Sequence, residues 1–277
     1  MDVLEAMAAA TRERIRREKE RVPLSQLEKK VAAMEASGRE ERPRFREALL
    51  GKDPFFPVIA EWKRRSPSEG LLLRDGQTLE TTLLAYQRGG AAALSILTEP
   101  AFFSAEEGDL ALAAKKTRLP LLKKDFILDP YQIYQAKAEG AGAILLMVSL
   151  VKGEELKVLY REALALGMDR LVEVHTLGEA EEALEMGADL IGVNSRNLKN
   201  LETRLEVAED LLPRLRDLAP PGTLLVAESG IQGPDDILRV REAGAQAALV
   251  GTYLMRSPDP AQTLEELTRA TVKARGA

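Results

Sequence analysis

The sequence predicts an α/β fold, a (β/α)8 TIM barrel carrying an N-terminal helical extension, on three observations. Eight short apolar runs alternate with amphipathic helical patterns after residue 50, and strands that alternate with helices build parallel sheets. A phrase recurs four times, as RGGAAALSI, EGAGAILLM, EMGADLIGV and EAGAQAALV, each joining a helix end to a glycine stop and a buried strand. Its glycines, Gly90, Gly140, Gly187 and Gly244, fall about 50 residues apart, which is a repeat spacing with room for two strand-helix units per interval. Eight such units in about 225 residues match a closed barrel. The alternative is an open doubly wound sheet, but such sheets usually carry a glycine fingerprint after the first strand, where this chain has KRRSPSEG.

In chain order, residues 1–50 lie outside the repeat. Leu4, Met7, Ala8, Thr11 and Ile15 form one apolar stripe, and Leu24, Leu27, Val31 and Met34 form another after an expected cap near Ser25. Two or more helices packed against a barrel end are therefore expected over 1–50, with the catalytic barrel over 51–277. SGREERPRF is the one stretch with linker character, and it is too short to separate independent domains. The expected strands are PVIAEW from Pro57, AALSIL from Ala92, PLLKK from Pro120, AILLMV from Ala143, RLVEVH from Arg170, LIGVN from Leu190, TLLVAE from Thr223 and AALVG from Ala247. Helical patterns follow them, such as EAEEALEMG from Glu179 and GPDDILRVREAG from Gly233, the latter opening on proline and acidic residues that suit a helix start.

Composition removes several functional classes. With 277 residues and 45 % hydrophobic content the chain can bury one large core, and a net charge of -5 spread in both signs argues against general nucleic-acid binding. There is no cysteine, so disulfides, thiolate nucleophiles and Cys-based metal sites are excluded. One histidine, His175, leaves little scope for a His-rich metal site or a Ser-His relay. No segment approaches a membrane span and the N-terminus lacks signal-peptide character. The expectation is a cytoplasmic enzyme, a monomer or weak homo-oligomer, without a membrane or nucleic-acid partner.

Active sites of barrels gather at the C-terminal ends of the strands, so the strand ends carry the functional information. Side chains two apart share a face. This groups Ile59, Glu61 and Lys63 on the first strand, Leu122 and Lys124 on the third, and Leu171, Glu173 and His175 on the fifth. The sixth offers Gly192, Asn194 and Arg196, and the seventh Leu224, Val226 and Glu228. Lys123 is expected to point outward, and His175 to be a strand-tip residue that hydrogen-bonds a loop or wall. A single carboxylate-ammonium pair could merely neutralise itself. The whole set is different, because each desolvated ion costs several kcal/mol that apolar packing would avoid. Interleaved carboxylates and ammoniums shift one another's pKa values and let proton donors and acceptors coexist, which suits acid-base chemistry without a metal.

The last two strands end in AESGIQGP and LVGTYLM. Glycines there admit an anion to backbone N–H groups, and a short helix starting near Thr252 would aim its positive end at the same point. Ser229, Gly230, Gly251 and Thr252, joined by Ser66 and Arg65 from the first loop, are the candidate phosphate site. Phe126 after the third strand and Phe102 and Phe103 after the second, with Leu145 and Leu198, could line a flat apolar slot beside it.

Taken together, IAEWKRRSPSEG, LLKKDFI, LVEVHT, IGVNSRNL and VAESGI resemble the indole-3-glycerol phosphate synthase family, in order along nearly the whole chain. The resemblance implies a barrel enzyme of tryptophan biosynthesis, a carboxy-lyase. Such an enzyme closes the ring of 1-(o-carboxyphenylamino)-1-deoxyribulose 5-phosphate, a phosphosugar bearing anthranilate, and releases carbon dioxide and water without a cofactor or metal. It makes Lys124 the general acid at the ketone, Glu173 the acid-base carboxylate of dehydration, Lys63 a binder of the substrate carboxylate and a second candidate acid, and Glu61 a further essential carboxylate. Asn194, Arg196, Glu228 and Ser229 match substrate-contacting positions, and Phe103, Phe126, Leu145 and Leu198 the anthranilate slot. Ser66, Ser229, Gly230, Gly251 and Thr252 match phosphate positions, while Arg65 stands where some members carry lysine and keeps the charge. Whether Lys63 or Glu173 protonates the leaving hydroxyl stays open. The rivals are a Schiff-base aldolase with Lys124 as nucleophile, a phosphoribosyl isomerase sharing the phosphate site, and a phosphosugar-binding barrel without chemistry.

Overall fold

The structure is a computed structural model and describes residues 3–37, 42–51, 54–198 and 200–275. Its centre is eight parallel strands: β1 (Val58–Trp62), β2 (Ala93–Leu97), β3 (Leu121–Lys124), β4 (Ala143–Met147), β5 (Asp169–Val174), β6 (Leu190–Asn194), β7 (Leu224–Glu228) and β8 (Ala247–Val250). Each expected apolar run is a strand. They pair in sequence order and β8 closes onto β1, with Ala60 opposite Val250. The sheet is therefore a closed barrel, and the open doubly wound alternative falls.

Alternation divides the core in two. Ile59, Leu122, Leu145, Leu171 and Val226 belong to the cluster inside the barrel. Ala60, Trp62, Ile144, Val172 and Ala227 belong to the larger cluster between sheet and helices. Lys123 points outward as expected, its Nζ donating to Gln135 (3.1 Å) and Glu139 (3.0 Å) on the helix Pro130–Glu139. The repeat phrase is explained by chain reversal: Gly90, Gly140, Gly187 and Gly244 all have positive φ, between 84° and 118°. Glycine adopts this left-handed conformation without a Cβ clash, which lets each helix stop and feed β2, β4, β6 or β8.

The first helix, Val3–Arg21, buries Met7, Ala8, Thr11 and Ile15, the stripe read from the sequence. It crosses the C-terminal mouth, where Met7 reaches the central cavity. The second, Leu24–Ala36, follows Pro23 rather than a cap at Ser25: proline's fixed backbone starts the helix and leaves Ser25 inside its first turn. Leu27 and Val31 pack with Ile15 and Tyr131 on the flank. Of the proposed linker SGREERPRF, Gly38–Glu41 lie outside the described residues. A short helix, Phe45–Ala48, then stoppers the opposite end. Phe45 and Leu49 are fully buried in the inner cluster, and the Arg46 N–H donates to Asp169 at the start of β5 (2.9 Å).

Candidate active site

Above the apolar layers of the barrel, five of the eight strands bring a polar side chain to the mouth at or next to their C-terminal ends. Glu61 and Lys63 come from β1 and the residue beyond it, Lys124 from β3, Glu173 from β5, Asn194 from β6 and Glu228 from β7. All six line one cavity of about 400 Å³, within the usual range for small-ligand sites. Lys124 is the hub. Its Nζ donates to Glu173 Oε2 at 3.1 Å and makes a short ion pair with Glu228 Oε2. Lys63 pairs with Glu61 Oε1 at 2.8 Å, and Ser95 on β2 donates to the other oxygen of that carboxylate at 3.4 Å. Two ammoniums thus meet three carboxylates, each of which is at least 96 % buried.

This imbalance sets the protonation states. Burial alone would neutralise Lys124, but Glu228, Glu173 and Glu61 outweigh it and raise its pKa, so it stays an ammonium. Burial raises Glu228, and Glu173 and Glu61 add to the rise against the pull of Lys124, to about 7. Glu173 goes the other way: burial is outweighed by Lys124, His175 and Asn194, and its pKa is lowered. One site therefore contains a charged acid, a carboxylate base and a carboxyl that exchanges its proton near neutrality.

Backbone geometry makes room for these groups. A Cβ at Gly192 on β6 would collide with Glu228 Oε1, and one at Gly251 would collide with Glu61 and lie 2.9 Å from Lys63 Nζ. Beside them Ser229 and Gly230 both take positive φ (66° and 88°). For a serine this is strained, a feature that clusters at ligand sites. Gly251 caps the helix Thr252–Arg256, whose start faces the same space. Ser66, Ser229, Gly230, Gly251 and Thr252 all line the cavity; Arg65 is exposed and outside its lining. On the other side Phe103, Phe126, Leu145 and Leu198 form an apolar wall, with the two rings 6.4 Å apart and tilted by 49°. Phe102 stays out of the lining, packed against the inner cluster. Arg196 spans the mouth, donating to Ser68 in the first loop (2.6 Å) and to the Leu201 carbonyl (3.2 Å).

Some contributors were not singled out from the sequence. Asp125 follows Lys124 and borders the same cavity, where it receives a two-pronged ion pair from Arg14 (2.6 and 3.1 Å), a hydrogen bond from Thr98 (2.7 Å) and the Phe126 N–H (2.8 Å). Its adjacency to Lys124 in KKDF was the only available signal. Ser68 stood within the quoted SPSEG, and Gly192 was noted for its face alone.

Residues 4–267 match the model of the family described as indole-3-glycerol phosphate synthase. The chain belongs to this family. Among relatives of the same name, indole-3-glycerol phosphate synthase of Carboxydothermus hydrogenoformans is 41 % identical, over 95 % of this chain and 98 % of its own. That of Lachnoclostridium phytofermentans is 38 % identical over 92 % and 94 %. In solved structures the same fold appears at low identity. Thiamine phosphate pyrophosphorylase from Pyrococcus furiosus has a TM-score of 0.57 at 19 % identity, covering 79 % of this chain and 96 % of its own. A mandelate oxidase mutant with a monooxide FMN adduct has a TM-score of 0.60 at 18 % identity, over 79 % and 74 %. These two share the barrel with indole-3-glycerol phosphate synthases; the likeness says nothing of their chemistry here.

Proposed function

We propose that this chain converts 1-(o-carboxyphenylamino)-1-deoxyribulose 5-phosphate to indole-3-glycerol phosphate, carbon dioxide and water. The observation that carries the proposal is the ammonium of Lys124 held between two carboxylates, with an apolar aromatic wall on one side of the cavity and a glycine-rich anion cradle on the other. In this reading the phosphate rests on Ser66, Ser229, Gly230, Gly251 and Thr252, and the anthranilate ring lies against Phe103, Phe126, Leu145 and Leu198. The barrel over 51–277 is the catalytic domain, and the extension over 1–50 lends it Met7 and Arg14.

Ring closure interrupts the aromaticity of the anthranilate, so the attack on the ketone is slow unless the charge growing on its oxygen is met. Lys124 donates to that oxygen. Lys63, oriented by Glu61, holds the carboxylate that departs as carbon dioxide, which restores the aromatic ring. Loss of water then needs an acid at the hydroxyl and a base at the ring carbon, and the pair Glu173 and Glu228 offers opposite protonation states within reach of one ammonium. Fixing the flexible phosphosugar at both ends supplies a further part of the acceleration.

A Schiff-base aldolase fits less well, because its lysine must be a neutral amine and Lys124 is held charged. Phosphoribosyl isomerisation would leave the aromatic wall and Lys63 without a task. Supplying the carboxyphenylamino deoxyribulose phosphate and following indole fluorescence, with no added metal or nucleotide, should show product growth. Absence of that signal with folded protein would refute the proposal.

A further inference from the structure

The reaction proposed above, on which this inference rests, consumes a proton. The substrate carboxylate leaves as neutral carbon dioxide. The ketone oxygen leaves as water after taking up two protons, of which the ring carbon that becomes unsaturated returns one. One proton per turnover therefore has to come from solvent, while the substrate occupies the mouth.

A path exists behind the cavity. His175 is absent from the cavity lining although its parity matches Glu173, because β5 ends at Val174 and the chain turns outward. Its Nε2 lies 3.5 Å from Glu173 Oε1 and its Nδ1 3.4 Å from Glu179 Oε2. Neither nitrogen makes a well-formed hydrogen bond, so these are ion-pair contacts at the outer limit of hydrogen bonding, the loose state usual before substrate tightens a site. The backbone N–H of His175 also donates to Glu179 (2.7 Å), which anchors the segment to the start of the helix Leu177–Glu185. The imidazole is 14 % exposed with both ring nitrogens buried, and the residue borders a separate outer groove with Thr176, Leu177, Arg204, Asp210 and Arg214. A turn of the ring is therefore needed to bring a nitrogen to solvent. One side chain thus touches both the buried carboxylate and a solvent groove that does not pass through the mouth.

We propose that His175 is the inlet for this proton: its ring turns to the outer groove to load and back to deliver from Nε2 to Oε1 of Glu173. That residue rests as a carboxylate and becomes the acid that releases the hydroxyl as water only once it is so loaded. The delivery breaks the Nε2–H bond and forms the O–H bond of Glu173; the ring, whose contact to Glu179 through Nδ1 is loose at 3.4 Å, returns to neutral and rotates toward the groove to reload. The charged groups around the imidazole are Glu173 on β5, Glu179 on the following helix and Glu228 on β7, with Arg204, Glu206, Asp210 and Arg214 bordering the groove. Burial favours the neutral ring, but Glu179, Glu173 and Glu228 outweigh it and raise its pKa. The raised affinity favours loading near neutral pH; Glu173, whose own pKa is lowered, gains the proton only as the departing hydroxyl takes it on.

The test is the single-turnover rate of indole formation in wild type, His175→Gln and His175→Ala across the pH range, with and without imidazole, beside the affinity for a non-reacting substrate analogue. Both variants should lose at least about tenfold in rate at neutral pH and keep affinity within about twofold. Imidazole should restore His175→Ala in proportion to its protonated fraction. Wild-type rates in both variants, or a loss that imidazole does not restore, would overturn the inlet while leaving the enzymatic reading intact. A wild-type protein that forms no indole product overturns that reading and the inlet with it.

Discussion

At the residue scale the site is governed by Lys124. Its charge is maintained by carboxylates on two other strands, so removing it changes chemistry and electrostatics together. Lys124→Ala should lower turnover by at least about a thousandfold, the size of a lost general acid with its charge stabilisation. Binding of a substrate analogue, measured by calorimetry, should be largely retained, since the glycine-rich cradle proposed for the phosphate and the aromatic wall are untouched. Normal turnover by this variant would show that the acid has been misassigned. Glu228 makes a pH prediction. Its folded-state pKa, raised to about 7, lies above the ordinary carboxylate value, so the folded chain holds a proton that the unfolded chain has released. That contribution is fully present below about pH 4.5 and is lost as the pH rises through 7, for a total of about 3–4 kcal/mol. Glu173, shifted down, titrates outside this window. Urea midpoints should therefore fall between pH 5 and pH 8, and Glu228→Gln should flatten the fall. A wild-type profile that rises over the same interval would contradict it.

At the element scale the important feature is how the first helix grips the loops that present the site. Arg14 joins the Thr98 carbonyl after β2 to Asp125 after β3, and the side chain of Asp125 is 1 % exposed. Burial opposes the charge of Arg14, but Asp125 more than compensates and raises its pKa. Breaking a pair of this kind strands the remaining ion, which typically costs about 3–5 kcal/mol. Because Asp125 lies between Lys124 and Phe126, the damage should also reach catalysis. Arg14→Met is expected to lower the melting temperature by several degrees and kcat/KM by more than the same change at exposed Arg17, whose partner Glu13 is also half-exposed. Equal effects at the two sites would remove the grip. Nothing in the sequence could pair Arg14 with Asp125, because 111 residues separate them and each is merely one charge among many along its segment.

At the scale of the whole molecule the barrel's two ends do separate work. The C-terminal mouth carries ionisable groups under Met7, while the N-terminal end is closed by Phe45 and Leu49 against Ile59, Leu171 and Leu224. Stability concentrated at one end lets the other bury charge. Phe45→Ala should cost about 3–5 kcal/mol by leaving a cavity, visible in the denaturation midpoint, with KM nearly unchanged below the transition. A large rise in KM would mean that the two ends are not independent.

How much could be read before folding follows from range. Strand positions, the inward placement of Glu61, Lys63, Lys124, Glu173, Asn194 and Glu228, and the glycine stops were legible because they depend on a period of two and on local backbone freedom. The KRRSPSEG, KKDF and ESG segments, which supply residues of the cavity lining, were readable as contiguous text. Tertiary structure alone decided which carboxylates share Lys124, that Gly192 makes space for Glu228, that Arg14 holds Asp125, and that His175 turns behind the wall. Those are contacts between distant segments, set by barrel closure and packing, and such distances have no periodic trace in a chain.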